Sequence, residues 1–429
     1  MKRTLIIGLL LGLSTLAFAQ TGTWSGKLEV QGTKLSLVFH LNEENPTMDS
    51  PDQGVKGVPI QVERTETGKL TIKIPSIGAS YEGQWLGTQI NGTFKQMGMS
   101  FPMTLTPGQE KLNRPQTPQG PFPYAQEEVS FSNGSAVLKG TLVLPKGYTR
   151  KTPVIIMVTG SGLQNRDEEI FEHKPFAVIA DALAKAGIAS LRYDDRGIGE
   201  STGDIINCTT EDLKNDALAG IELLKGRFDK VGVMGHSEGG TIAFMLASEK
   251  KADFVVSLAG MVVSGAETLL WQNKVALLSA GIPEATVNTY CKLLGEAFEG
   301  RIAGKTAPSA QHSDLPDALK QNYSAAVMQL MTPYMKYFLA LDVRPLLPGI
   351  SCPVLALNGT KDTQVECSTN LDALRSGLPA GASIVPIEGV NHLFQHCTTG
   401  AATEYRDIEE TFAPEALAVM TYWLSEALK

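Results

Sequence analysis

The chain has 429 residues, more than a single hydrophobic core usually holds, so two domains are expected. Its residues are 43% hydrophobic and 19% charged, a composition that excludes a chain disordered throughout. The formal net charge is −8 and no basic stripe is present, which argues against nucleic-acid binding.

The first predicted element is a secretion signal over residues 1–19. Two basic residues follow the initial methionine, an apolar run covers 5–13, and Ala17 and Ala19 are the small residues that a signal peptidase recognises. The apolar run is short for a membrane span, and no cysteine stands at the cleavage point to carry a lipid. We therefore expect a mature chain that begins at Gln20, has no stable membrane anchor and is periplasmic or secreted. An uncleaved anchor helix is the alternative.

Residues 20–106 predict a small all-β domain, because apolar and polar residues alternate over short segments between glycine-bearing turns. The alternation is clear around Trp24, over 35–41 and over 70–74. Short, evenly spaced strands are typical of a small barrel or a strongly curved meander. This domain has no cluster of residues suited to catalysis, and Trp24 and Trp85 are expected to pack in its core, with glycan binding as the alternative.

A proline-rich linker is predicted over 107–124, because five prolines within it exclude a helix or a central strand. From there on, residues 125–429 alternate apolar runs with helical segments. The predicted strands are 137–144, 153–158, 188–193, 231–234, 254–258 and 354–357, and the clearest helices are 176–186 and 213–224. Continuous apolar strands that alternate with helices specify a mostly parallel sheet with helices on both faces. No strand is evident over about 264–340, which is predicted to be a helical lid.

A candidate nucleophile follows the predicted strand 231–234. The residues Gly235-His236-Ser237-Glu238-Gly239 match G-x-S-x-G, and a helix is predicted to start directly after them. On such a sharp turn from strand to helix the serine is held in a strained conformation, with its hydroxyl exposed at the helix N-terminus.

A serine hydroxyl needs a base within hydrogen-bonding distance, and the base needs an acid that orients it. His392 follows the apolar run 384–387 at a predicted strand end and is the first candidate for the base, with His396 as its competitor. Asp362 follows the strand 354–357 and is the first candidate for the acid, with Asp372 as the weaker one. His236 is expected to pack beneath the nucleophile turn.

An oxyanion hole needs two N–H groups near the nucleophile. One is expected from Glu238, directly after Ser237. The other is expected from the loop after the strand 153–158, where Ser161 is the first candidate and Gly162 the second.

Three further motifs point to one family. Asp194-Asp195-Arg196-Gly197-Ile198-Gly199-Glu200-Ser201 matches D-x-R-G-x-G-x-S, Cys352-Pro353-Val354-Leu355 leads into Asn358-Gly359 and Asp362, and Asn391 precedes His392. On these motifs, residues 125–429 resemble a bacterial α/β-hydrolase of the serine aminopeptidase-like and cinnamoyl-esterase-like group. Gly160-Ser161-Gly162 followed by Arg166-Asp167-Glu168 resembles one secreted subgroup, with Thr159 where the commoner oxyanion motif has histidine. The β domain is similar to those carried by hydrolases of Bacteroidetes-type bacteria.

The resemblance implies an α/β-hydrolase fold and the hydrolysis of a carboxylic ester through an acyl-enzyme, without metal or organic cofactor. The partner would be a small-molecule ester. Aromatic lid residues would line the acyl site, and Trp271, Tyr334 and Tyr337 are the candidates for substrate contact. One alternative is a serine peptidase or aminopeptidase in which Glu238 and lid carboxylates hold the amino terminus of a short peptide. Another is an inactive hydrolase fold that binds glycans or lipids.

The five cysteines are an odd number for an oxidising compartment, so at least one must stay unpaired. Cys367 follows Asp362 by five residues and Cys397 follows His392 by five, so the two thiols would form a disulfide if these loops meet closely. The alternative is that the thiols pack as small apolar groups.

Overall fold

The computed structural model describes residues 21–30, 33–42, 44–53, 55–65, 67–96, 98–109 and 111–428. The predicted secretion signal lies outside these residues. The chain divides into two compact units. The first comprises the described residues up to Asn113 with Ile170–Glu172, and the second comprises Arg114–Glu169 and the chain from His173. No helix in the described ranges is long and apolar enough to cross a membrane.

The first unit is an antiparallel sheet of nine strands in the described residues. Its strands are β1 Thr23–Val30, β2 Thr33–His40, β3 Thr47–Ser50, β4 Val55–Pro59, β5 Gln61–Arg64, β6 Lys69–Ile74, β7 Ala79–Trp85, β8 Ile90–Gln96 and β9 Met99–Pro107. Their order is β4-β3-β2-β1-β9-β8-β7-β6-β5. Strands adjacent in sequence are therefore adjacent in the sheet, except that β4 and β5 lie at its two edges and that β1 pairs with β9. This is the predicted small all-β domain.

The core of the first unit is built around Tyr81, which is fully buried. Its hydroxyl donates hydrogen bonds to the carbonyl oxygens of Ile90 and Met103, at 2.9 and 3.1 Å. Gly83 and Gly92 leave room for this ring, because a Cβ at either position would lie within 2.7 Å of its hydroxyl oxygen. Trp24 is buried in the same apolar cluster, and Trp85 packs against it, so both tryptophans serve the core.

The second unit contains one sheet of eight strands in the described residues. They are β10 Ala125–Asn133, β11 Ala136–Leu144, β12 Val154–Val158, β13 Ala189–Tyr193, β14 Val231–His236, β15 Val255–Leu258, β16 Val354–Gly359 and β17 Ser383–Ile387. The order is β10-β11-β13-β12-β14-β15-β16-β17. The first two strands pair antiparallel, β11 also pairs antiparallel with β13, and all further pairs are parallel.

Helices cover both faces of this sheet. The helices of this unit in the described residues are α1 Pro175–Lys185, α2 Thr210–Lys225, α3 Glu238–Ser248, α4 Gly265–Ser279, α5 Glu284–Ile302, α6 Asp317–Gln329, α7 Pro333–Ala340, α8 Cys367–Gly377 and α9 Pro414–Ala427. One apolar cluster joins the sheet to α2, α3 and α8, and a second joins it to α1 and α9. Because β12 and β14 are buried along their whole length, they require this double cover. The predicted α/β-hydrolase fold is confirmed.

The helices α4–α7 lie between β15 and β16 in sequence and form the predicted lid. They have an apolar cluster of their own, which includes the buried rings of Tyr290, Phe298 and Tyr323. These three aromatic residues therefore stabilise the lid itself. Met328, by contrast, is largely exposed.

Two elements differ from the sequence analysis. Strand β10 was not predicted, because its residues are mostly polar and all but Phe131 are exposed or half-buried, so it lacks an apolar run. Helix α2 starts at Thr210 rather than Leu213, because Thr209 and Asp212 form a capping box that extends the helix through a polar first turn.

The proposed disulfide between Cys367 and Cys397 is wrong, since all five cysteines are free. The thiol of Cys367 lies 3.8 Å from the carbonyl oxygen of Asn358, and that of Cys397 lies 3.5 Å from the carbonyl oxygen of Gly389. Each thiol is thus directed at the backbone of a neighbouring strand end.

Candidate active site

Ser237 stands on the turn between β14 and α3 with φ 54° and ψ −119°, a backbone conformation that residues other than glycine rarely adopt. The two glycines of the motif make this turn sterically possible. A Cβ at Gly235 would lie 1.9 Å from the carbonyl oxygen of Gly239, and one at Gly239 would lie 2.1 Å from that of Val158. The flanking residues are buried, whereas Ser237 is only half-buried, so the turn presents its side chain toward solvent.

Asp362 and His392 lie together although they are 30 residues apart in sequence. They follow β16 and β17, which are neighbouring parallel strands. Nδ1 of His392 donates a hydrogen bond to Oδ2 of Asp362 over 2.7 Å, and both residues are buried. The other carboxylate oxygen accepts the N–H groups of Gln364 and Val365, at 2.7 and 2.8 Å. The carboxylate is therefore fixed, and it fixes the imidazole in turn.

His396 and Asp372, the alternative candidates for the base and the acid, lie in different surroundings. His396 is exposed and is held between Glu410 and Glu415, with ring nitrogens 2.9 and 2.8 Å from their carboxylates. Asp372 is exposed on α8 and pairs with Arg375 at 2.6 Å. Neither residue is part of the buried pair described above.

The loop after β12 lies directly beside the nucleophile turn, because a Cβ at Gly160 would be 3.2 Å from Cβ of Ser237. The N–H of Gly160 donates to Oε1 of Glu168 over 2.7 Å and is thereby occupied. The N–H groups of Ser161 and Glu238 have no acceptor among the described residues. Gly162 follows Ser161 with φ +86°. The backbone N–H groups of all three expected oxyanion donors, Glu238, Ser161 and Gly162, thus have no acceptor among the described residues.

Thr159 occupies the position of the commoner histidine and anchors this loop. Its hydroxyl donates to Oδ2 of Asp195 over 2.7 Å, and the N–H of Gln164 donates to the same oxygen over 2.8 Å. Burial raises the pKa of Asp195 to about 7. The role of Asp195 was not predicted, because its partners are about 30 residues away in sequence.

The motif Arg166-Asp167-Glu168 is joined to the motif that starts at Asp194 by ion pairs. The guanidinium of Arg166 lies 2.8 Å from Asp194, 2.9 Å from Glu200 and 2.6 Å from Glu128. Since Arg166 and Asp194 are both largely buried, the pair they form is screened less by salt than a surface pair would be, whereas Glu128 and Glu200 are exposed. This network holds the loop of Gly160 in place.

His236 precedes the nucleophile and is buried, as expected, but it also makes two specific contacts. Nδ1 lies 3.0 Å from Oε1 of Glu168, and Nε2 lies 2.9 Å from the carbonyl oxygen of His392. The two histidine rings have centroids 4.6 Å apart. Glu168 was not predicted to contact the site, because its only signal in the sequence was its place in a motif of the secreted subgroup.

The family described as X-Pro dipeptidyl-peptidase (S15 family) matches this chain over residues 133–396, which is more than half of its length. The chain belongs to the S15 family. The matched range contains Ser237, Asp362 and His392. The predicted resemblance to a bacterial α/β-hydrolase is confirmed.

Curated relatives of this S15-family chain match it over shorter segments. Esterase EstD from Thermotoga maritima is 36% identical over 124 residues, which are 28% of this chain and 30% of that protein. An acyl transferase from Photobacterium leiognathi is 31% identical over 121 residues, 28% of this chain and 37% of that protein. The matches therefore span about a third of the length of these relatives.

Solved structures are similar over larger parts of the chain. Est1E from Butyrivibrio proteoclasticus with ferulic acid bound is 19% identical and covers 70% of this chain and 99% of that chain, with a TM-score of 0.43. The esterase Pf2001 from Pyrococcus furiosus is 16% identical and covers 75% of this chain and 100% of that chain, with a TM-score of 0.45.

In this S15-family chain the side chain of Glu238 is buried behind the nucleophile turn. Its carboxyl accepts hydrogen bonds from the hydroxyl of Thr210 at 2.6 Å and from that of Tyr334 at 2.5 Å. Burial raises the pKa of Glu238, although these hydrogen bonds oppose the shift. Tyr337, one turn further along α7, donates to Glu211 on α2 at 2.9 Å. Two tyrosines thus attach the lid to the hydrolase core.

A small pocket of about 120 Å³ opens beside the candidate oxyanion loop. It is lined by Gly162, Leu163, Ile205, Cys208, Leu213 and Tyr334. Of the three predicted substrate contacts, Tyr334 lines this pocket, whereas Tyr337 binds Glu211 and Trp271 is half-buried on α4. The lining contains no charged side chain, so the pocket suits an uncharged group.

Proposed function

We propose that this protein is a serine hydrolase that cleaves a carboxylic ester through an acyl-enzyme, with Ser237 as nucleophile, His392 as general base and Asp362 as the acid that orients it. The observation that carries the proposal is the buried 2.7 Å hydrogen bond between Asp362 and His392. It is supported by the strained turn that holds Ser237. A histidine oriented by a carboxylate is what a serine hydroxyl needs to become a nucleophile at neutral pH.

In the proposed reaction, Nε2 of His392 accepts the hydroxyl proton of Ser237 while the oxygen attacks the ester carbonyl. Asp362 keeps the proton on Nδ1 and stabilises the imidazolium that forms. The free N–H groups of Glu238 and Ser161 stabilise the negative charge on the tetrahedral intermediate. His392 then protonates the leaving alcohol, and a water molecule, deprotonated by the same histidine, releases the acid and restores Ser237.

We further propose a short, uncharged acyl group for this ester. The apolar pocket beside Gly162 supports this choice, because its volume of about 120 Å³ suits a chain of a few carbon atoms. No charged side chain lines the pocket that would pair with a carboxylate or an ammonium group of the substrate.

Cleavage of short peptides is the second candidate, and the family description favours it. In the peptidase that the sequence suggests as an alternative, Glu238 would bind the amino terminus of the peptide. The burial of Glu238 and its hydrogen bonds with Thr210 and Tyr334 argue against that role, because its carboxyl is enclosed and already has partners. Ester cleavage therefore remains the first proposal.

Two measurements on the purified protein test the proposal. Fluorophosphonate labelling should modify Ser237, and unmodified Ser237 would favour the alternative of an inactive glycan- or lipid-binding fold. Turnover of p-nitrophenyl acetate and butyrate should then exceed that of aminoacyl and X-Pro p-nitroanilides. A clear preference for the anilides would reverse the order of the two enzymatic candidates.

The domain limits and the location of the protein are also proposals. We infer that 125–429 is the catalytic domain, that 20–106 is an accessory domain, and that a signal over 1–19 directs the chain to the periplasm or the medium. Amino-terminal sequencing of the exported protein should give Gln20 as the first residue. Retention of residues 1–19 would contradict cleavage.

A further inference from the structure

His236 makes two hydrogen bonds whose partners are both acceptors. Nε2 faces the carbonyl oxygen of His392 at 2.9 Å, and a carbonyl oxygen can only accept. Nδ1 faces Oε1 of Glu168 at 3.0 Å, and that oxygen already accepts the N–H of Gly160. A neutral imidazole has one N–H and one lone pair, so either tautomer would direct the lone pair at an acceptor.

His173, in the same unit, differs from His236 in that only one of its two hydrogen-bond partners is restricted to accepting. It is also fully buried, but its ring nitrogens face the hydroxyl of Thr411 at 2.8 Å and the carbonyl oxygen of Tyr405 at 3.1 Å. A hydroxyl can donate, so a neutral ring satisfies both contacts, with Nδ1 accepting from Thr411 and Nε2–H donating to Tyr405. Burial lowers the pKa of His173 to about 4, which agrees with a neutral ring.

The surroundings of His236 favour a positive charge. Besides Glu168, the titratable groups that face the ring are His392 and Asp362. The apolar neighbours come from α1, from β15 and from the segments that follow His392, and they include Phe176, Leu258, Leu393, Phe394 and Phe412. Burial alone would lower the pKa of His236, but the charge and the hydrogen bond of Glu168 outweigh it and raise the pKa.

We propose that His236 is an imidazolium at neutral pH and acts as a positioning residue that ties the loops of Gly160 and His392 to the nucleophile turn. One N–H holds the backbone of His392, and the other holds Glu168, which in turn holds the N–H of Gly160. The charge of His236 follows from its contacts alone, whereas its effect on turnover rests on the proposed function.

The proposal has a consequence for the pH dependence of turnover. When His236 loses its proton, a lone pair faces either Glu168 or the carbonyl oxygen of His392, and the repulsion displaces one of the two loops. Turnover should therefore fall at high pH through the deprotonation of His236, in addition to any titration of the reacting groups. Substrate affinity should change little, because His236 is buried away from solvent.

The protonation of His236 can be read without substrate. In the full chain labelled with ¹⁵N-histidine, both ring nitrogens of His236 should carry a proton at about pH 7.5, where an unperturbed histidine is neutral. His236→Gln identifies its signals among the six histidines. One unprotonated ring nitrogen at this pH would overturn the proposal, whether or not the protein cleaves esters.

The positioning role is tested with Glu168→Gln, which keeps an acceptor but removes the negative charge that stabilises the imidazolium. We expect kcat for p-nitrophenyl butyrate to fall about 10- to 100-fold, as for other residues that orient a catalytic group, with KM changed less than about twofold. The high-pH decline of kcat should move to lower pH, because the charge of Glu168 helps to raise the pKa of His236.

The matched control is His396→Gln, an exposed histidine that also contacts two carboxylates and lies four residues after His392. It should keep the kcat and the pH profile of the unmodified protein. The positioning role is contradicted if Glu168→Gln keeps the original profile, or if the control shifts it equally. Should Glu168→Gln fail to fold, the NMR measurement on the unmodified chain still decides the charge.

Discussion

The hydroxyl of Tyr334 donates a 2.5 Å hydrogen bond to Glu238, the residue directly after the candidate nucleophile. This bond connects lid helix α7 with the first residue of α3. The lid is therefore attached next to the candidate nucleophile turn by a side chain that also lines the small pocket. A change in this contact should therefore affect both the proposed acyl site and the turn.

Tyr334→Phe should destabilise the protein, because it removes one hydrogen-bond donor from the buried carboxyl of Glu238. The expected loss is about 1–3 kcal/mol of unfolding free energy. Tyr337→Phe is the matched control, since its partner Glu211 is partly exposed and can bind water instead. Urea unfolding of both variants measures the difference in unfolding free energy. Equal losses in the two variants would contradict a larger contribution from the buried bond to Glu238.

Ser237→Ala should abolish both ester turnover and fluorophosphonate labelling, since it removes the proposed nucleophile. For residues of such a unit, kcat falls by about five to six orders of magnitude. Ser248→Ala, at the other end of α3, removes only a hydroxyl that binds the carbonyl oxygen of Met245. It should keep full activity. Substantial turnover by Ser237→Ala would exclude this serine as the nucleophile.

Asp362→Asn should lower kcat by about four orders of magnitude, because an amide cannot hold the imidazole in the required tautomer. The backbone contacts of its other oxygen would keep the geometry nearly unchanged. Asp372→Asn, at the exposed competitor on α8, should leave kcat unaltered. Initial rates with p-nitrophenyl acetate distinguish the two carboxylates. A loss of kcat confined to Asp372→Asn would show that Asp372, and not Asp362, is the acid.

Leu213→Ala should widen the pocket and favour longer acyl groups. The removed side chain makes room for two or three methylene groups, so the ratio of kcat/KM for octanoate over acetate esters should rise about tenfold or more. Leu218→Ala, on the same helix but outside the pocket lining, should not change the ratio. An unchanged ratio in Leu213→Ala would mean that the acyl chain binds elsewhere.

The buried His173 should make the protein less stable in acid. Burial lowers its pKa to about 4 in the folded state, against about 6.5 in the unfolded chain. As pH falls from about 6.5 to about 4, the unfolded state binds the proton first, and the unfolding free energy should drop by about 3 kcal/mol. Urea unfolding at pH 4.5, 5.5 and 7 measures this, and His173→Asn should show a flatter dependence.

The parts of the fold that could be predicted are those with a local signal. Strands β12 and β14 were evident because a strand buried on both faces must be a continuous apolar run. Ser237 and Asp362 became candidates because each follows such a strand, and His392 because it follows the apolar run 384–387, although β17 is a partly exposed edge strand. Strand β10 escaped prediction because it is an edge strand with mostly polar residues.

The contacts that were missed join residues far apart in sequence. Glu168 meets His236 across 68 residues, and Tyr334 meets Glu238 across 96. No spacing rule within one chain predicts such pairs, because they depend on how helices and loops pack on the finished sheet. Sequence patterns could therefore indicate the candidate reacting residues, but not the side chains that position them.

The position of the lid in the chain has a practical meaning for protein engineering. Strands β15 and β16 pair with each other directly, although α4–α7 separate them in sequence. The lid also has its own apolar cluster. The lid is thus an insertion that can be exchanged. Lids from other hydrolases could be grafted between these strands to alter substrate preference, provided that each keeps a tyrosine that donates a hydrogen bond to Glu238.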